Sequence, residues 1–71
     1  MKKPYLMRVI EHNTKQVIVW AENRDEAIET TERFCCEGKI NMEDAKYSRD
    51  VFCQFKAEGY DFNIFEQYNK E

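Results

Sequence analysis

Residues 17–38 read VIVWAENRDEAIETTERFCCEG, and this stretch holds the change of period that decides the fold. Its first residues alternate: Val17, Val19 and Ala21 fall on one side, Ile18 and Trp20 on the other, the pattern of a β-strand. After Asn23 the period changes. At about 100° per residue, Ala27, Ile28, Thr31, Phe34 and Cys35 share one stripe, and Asp25, Glu29, Glu32 and Cys36 share the opposite one. Asn23 suits an N-cap, and Glu26 three residues on can reach back to complete a capping box. Asp25 and Glu26 also suit the positive end of a helix dipole. Gly38 supplies the left-handed residue that commonly ends a helix, so the spacing predicts a helix over about residues 24–37.

Upstream, PYLMRVIEH (residues 4–12) alternates with Tyr5, Met7 and Val9 opposed to Leu6, Arg8 and Ile10. Asn13 tolerates the backbone of a tight turn, so the two strands are expected to form a hairpin. Downstream, KINMEDAKYSRD (residues 39–50) is polar and irregular, with Ile40 and Met42 available to pin it to the core. Val51, Cys53, Phe55 and Ala57 then alternate as a third strand. Gly59 offers a turn, and Tyr60, Phe62 and Ile64 continue an alternation that Phe65 breaks. Because Phe62, Phe65 and Tyr68 also fit one face of a short helix, the last element reads as a strand with a helix as its rival.

The bulk numbers restrict function more than they specify it. A chain of 71 residues makes one domain, spanning 1–71, with an aromatic extension from about residue 56. At this size about 60% of the unfolded chain's surface is buried, which leaves little stability for strained catalytic geometry. The 42% hydrophobic and 14% aromatic content belongs to a folded chain. A net charge of −3 disfavours non-specific attraction to nucleic acid or anionic lipid. No apolar run approaches the ~18 residues of a membrane span, and Arg8 and Glu11 interrupt the first one, so neither an anchor nor a cleaved leader is expected. Three cysteines without a spaced framework point to a reducing cytoplasm.

The stretches YLMRVIE (5–11), VIVWAENRDEAI (17–28) and EGKINMED (37–44) carry a resemblance. Over roughly residues 5–55 the chain resembles the DpnD/PcfM-like family of small bacterial, plasmid and phage proteins. That resemblance implies a compact ββαβ unit encoded on mobile elements, without an assigned activity and with no catalytic set to carry over. The aromatic segment from Lys56 to Glu71 departs from the family pattern.

None of the usual chemical constellations is expected. Cys35 belongs to the apolar stripe, where a free cysteine acts as a small hydrophobe. Cys36 points to the acidic face at a helix C-terminus, the wrong setting for a reactive thiolate. Adjacent helical cysteines diverge, and with only Cys53 and His12 to help they make no zinc site. His12 reads as a solvated turn residue. The only glycines, Gly38 and Gly59, form no phosphate loop, so no cofactor is expected.

Two surfaces stand out instead. If Met7, Val9, Val17, Val19 and Ala21 face the helix, then Leu6, Ile10, Ile18 and Trp20 form an apolar patch on the other side of the sheet. Either a partner meets that patch or the aromatic C-terminal segment folds over it. The second surface is acidic: from Glu22 to Asp44 there are eight acids against three bases, and Asp25, Glu29 and Glu32 face outward. A solubilising helix face is the competing reading of these carboxylates.

The sequence therefore predicts a small α+β domain, an antiparallel sheet with one packed helix in the order ββαβ(β). Its expected role is non-enzymatic: a protein-interaction module from a phage or mobile element that binds a host or viral protein, or its own copy as a dimer. The partner-binding candidates are Leu6, Ile10, Ile18, Trp20, Asp25, Glu29 and Glu32. The alternative is a single-stranded nucleic-acid-binding module in which Trp20, Phe62 and Tyr68 stack bases, although the charge balance disfavours that partner.

Overall fold

In the computed structural model, residues 1–10, 14–40, 50–57, 59, 61 and 63–70 are described. The turn at His12 and Asn13, the loop with Met42, and the aromatics Tyr47, Tyr60 and Phe62 lie outside the described residues. The elements are β1 (Lys3–Ile10), β2 (Thr14–Ala21), α1 (Arg24–Cys36), β3 (Asp50–Lys56) and β4 (Gln67–Tyr68). They form a four-stranded sheet in the order β3-β1-β2-β4, with α1 on one face. The radius of gyration is 11.3 Å, against about 11 Å for a globular chain of this length.

β1 and β2 pair antiparallel from Lys3 opposite Ala21 to Ile10 opposite Thr14. This register puts Tyr5, Met7 and Val9 beside Val19 and Val17 on the helix side, as the alternation requires. α1 leaves the sheet where the period changes. The Asn23 side chain accepts from the Glu26 N–H at 2.8 Å. Glu26 does reach back, but its carboxylate accepts from the Glu22 N–H at 3.3 Å, one residue before the cap. At the other end Lys39 N–H bonds to Phe34 C=O at 2.9 Å and Gly38 N–H to Cys35 C=O at 3.3 Å, a Schellman closure. Gly38 sits at φ +79°, which is why a glycine ends this helix.

The core between helix and sheet joins Met7, Val9, Val17, Val19, Ala27, Phe34, Cys35 and Ile40, with Cys53 from β3. The helix phase is as expected: Cys35 is buried, Cys36 is exposed, and both are free thiols. Thr30 is also buried, and Thr31 donates to Ala27 C=O at 2.7 Å. A hydroxyl that bonds its own helix needs no partner in the core, so threonine is tolerated there.

Three expectations are corrected. The sheet is mixed, because β4 pairs with β2 in parallel, Ile18 opposite Gln67 and Val19 opposite Tyr68. Among the described residues the last strand is Gln67–Tyr68; of the alternation expected at Tyr60, Phe62 and Ile64, the first two lie outside the described residues, and Ile64 is 81% exposed, with residues 63–65 in turn and bend. The third alternation does not hold on one face either. Met7 pairs with Cys53 but Leu6 with Phe55, so Gln54 is an extra residue in a β-bulge. Val51 and Cys53 face the helix, and beyond the bulge Phe55 and Ala57 join the face of Leu6.

Candidate functional site

The sheet face away from α1 is built by the even-numbered residues of β1 and β2 and by β3 on either side of its bulge. Half of it is covered. After β3, Ala57 N–H donates to Pro4 C=O at 2.8 Å, and Ile18 N–H donates to Glu66 C=O at 2.8 Å. These bonds mark the two ends of a segment that joins one edge of the sheet to the other. Leu6, Ile18 and Ala57 form a second buried cluster, with Trp20 and Phe65 packed against it. Ile18 has no exposed surface at all.

The end of this strap is held by several contacts. The Trp20 indole Nε1–H donates to Gln67 Oε1 at 3.1 Å, and the Asn69 amide donates to Trp20 C=O at 2.9 Å. Lys2 Nζ donates to Asn69 C=O at 3.1 Å. Lys70 Nζ lies 5.9 Å from the centre of the Trp20 ring. Asn69 makes the turn at φ +60°, a conformation asparagine tolerates better than most residues. Tyr68 packs edge-on to Phe34, with ring centroids 6.3 Å apart, and its hydroxyl donates to Glu66. Burial, followed by the neighbouring Glu66 carboxylate, pushes the Tyr68 phenol up to about 12.

The other half of the face is open. Phe52 is 49% exposed and Phe55 44% exposed, both on this side of β3. Arg8 is exposed and stands between Gln16 and Phe52 in the register. The Gln16 and Gln54 side chains meet at 2.6 Å across β1, so the bulge residue is tied back over the sheet. β3 is also an edge strand; among the described residues no strand pairs with its outer side.

The seven candidates therefore separate. Leu6 and Ile18 are buried beneath the strap, while Ile10 and Trp20 are half-buried at its margins, so the four do not make one exposed patch. Asp25, Glu29 and Glu32 are all exposed on the outer side of α1 and make no ion pair among the described residues. Of the aromatics proposed for base stacking, Trp20 is held by Gln67, Tyr68 packs against Phe34 of α1, and Phe62 lies outside the described residues. Phe52 and Phe55 were missed as a pair, because simple alternation puts them on opposite faces and only the bulge brings them together.

Burial pushes the Cys53 thiol up, against the opposing pull of the Arg24 guanidinium. Among the described residues no three His, Cys, Asp or Glu side chains gather as metal ligands, and no helix is long and apolar enough to cross a membrane. The fold thus defines a small α+β domain with a mixed four-stranded sheet and an aromatic strip on its open side. No family model, curated protein or solved structure matches the chain.

Proposed function

We propose that this protein is a small non-enzymatic interaction module whose contact surface is the β3 side of the sheet, centred on Phe52 and Phe55. The observation that carries the reading is the exposure of these two phenyl rings on the same face of an edge strand, 49% and 44%, where a small domain has every reason to hide them. Aromatic side chains flanked by one arginine are typical anchors of protein interfaces. The carboxylates of Asp25, Glu29 and Glu32 would add a second, charged contact on the opposite side. An origin in a phage or other mobile element, membership of the DpnD/PcfM-like family, and a host or viral protein, or a second copy of this chain, as the partner in the bacterial cytoplasm belong to this proposal.

The test is affinity capture from bacterial cells, comparing wild type with Phe52→Ala/Phe55→Ala and with Asp25→Lys/Glu29→Lys/Glu32→Lys. The expected result is a stoichiometric partner that the first variant loses. A partner retained by both variants, or turnover of any substrate abolished by changing a surface carboxylate, would overturn the reading.

One observation favours a second reading. Arg8 beside Phe52 on an open sheet offers a cation next to a stacking surface, as single-stranded nucleic acid requires. Binding to labelled oligonucleotides should then appear at low salt and weaken with a shallow salt slope, since few cations contribute. Absence of binding at low salt removes this option.

A further inference from the structure

We infer that β3 pairs antiparallel with β3 of a second copy, joining two sheets into one across a two-fold axis at Phe52. The inference rests on reading the β3 side as the contact surface, and it names the partner as this chain itself. The bulge selects the register. Asp50 and Phe52 lie on the open face and Val51 and Cys53 on the helix face, whereas past Gln54 the order is inverted. A two-fold at Phe52 sets Asp50 opposite Gln54, Val51 opposite Cys53, and Phe52 opposite Phe52, and every pair shares a face. Moving the axis to Cys53 sets Val51, on the helix side, against Phe55, on the open side. Moving it between Cys53 and Gln54 places the two bulges against each other and breaks the ladder in the middle.

The selected register is also complementary in chemistry. The Phe52 rings, each about half exposed, meet directly as an aromatic cross-strand pair. Half-buried Val51 extends the helix-side core against its neighbour's Cys53, so both faces of the junction are apolar at the centre. Asp50 stands opposite Gln54, whose amide carbonyl is engaged by Gln16 of its own sheet, and no like charges stand opposite each other. Helix α1 packs on one face of the sheet, so in the joined sheet both helices fall on the same side. The bulge ends the ladder after five residues, Asp50 to Gln54, which makes the dimer weak and concentration-dependent.

Sedimentation velocity over a concentration series from about 1 µM to about 1 mM, the range of weak association, reads the mass directly. The expected result is a shift from monomer to dimer that Phe52→Glu abolishes, because it sets two carboxylates opposite each other at the axis. Phe55→Glu, as exposed but outside the ladder, should leave the dimer within about threefold of wild type, as for a peripheral surface change. In a Cys36→Ser background, F52C should crosslink to a covalent dimer on mild oxidation and F55C should not, a readout that stands even if the glutamate variant unfolds. A monomer throughout the series overturns the inference, as does association lost equally through Phe55→Glu, which would mean face-to-face packing. A monomer that still captures a different protein through Phe52 and Phe55 would overturn the dimer and leave the proposed function standing.

Discussion

Replacing Ile18 by alanine asks whether the C-terminal strap is a structural part of the fold. Ile18 has no exposed surface, sits in the cluster with Leu6 and Ala57, and donates its N–H to Glu66 C=O. Truncating a buried isoleucine costs about 2–5 kcal/mol, the sum of lost transfer free energy and the cavity left behind. Here the lower half of that range applies, because the buried cluster around Ile18 is small, Leu6 and Ala57 among the described residues: about 2–3 kcal/mol. A domain of this size has only about 3–5 kcal/mol in total, so the variant should be marginally folded. The midpoint of thermal unfolding should fall by on the order of 10–20 °C. Were the sheet open to water at this point, the same change would cost no more than about 0.5 kcal/mol. Equilibrium urea unfolding followed by the fluorescence of Trp20, the single tryptophan, measures the difference, with m checked for constancy. Ile10→Ala, half-buried on the same face, is the comparison and should cost less. A loss below about 1 kcal/mol for Ile18→Ala would refute the strap as a covering layer.

Asn23→Ala removes the side-chain acceptor of the Glu26 N–H and should destabilise by about 1 kcal/mol in the same assay, with glycine at that position much milder. Gly38→Ala meets no atom within 4 Å, so any loss comes from the backbone at φ +79° alone, about 1–2 kcal/mol. In a spectrophotometric titration Tyr68 should ionise near 12, two units above an ordinary tyrosine at about 10. Its folded pKa is raised, so between about pH 10 and 12 the unfolded chain loses the proton first, and Tyr68 subtracts stability as pH rises through that window. Glu66→Gln should bring the phenol down. With a water-soluble thiol reagent, Cys36 should react at once in the native protein, while Cys35 and Cys53 react only on unfolding.

The hairpin and the helix were legible because each depends on contacts close in sequence. The alternation of residues 5–9 and 17–21 specifies its own two faces, and Asn23 and Gly38 hold the helix through bonds to groups within five residues. The separation of Cys35 from Cys36 follows from helical geometry alone. So does the outward placement of Asp25, Glu29 and Glu32, although exposure by itself does not distinguish a contact from a solvated surface.

Beyond residue 50 the decisive interactions are distant ones. The bulge at Gln54 exists only against β1, since a single strand has no register to break. It turns a one-face alternation into an exposed Phe52–Phe55 strip and a buried Ala57. The strap finds its place through bonds to residues more than forty positions away, Ile18 and Trp20, and this long-range docking puts the last strand at Gln67–Tyr68 and in parallel. Sequence alone determined the hairpin, the capped helix and the side on which each packs, because period and capping are local properties of the chain. Tertiary structure alone decided which apolar residues remain exposed, because exposure depends on what crosses the sheet from the far end of the chain.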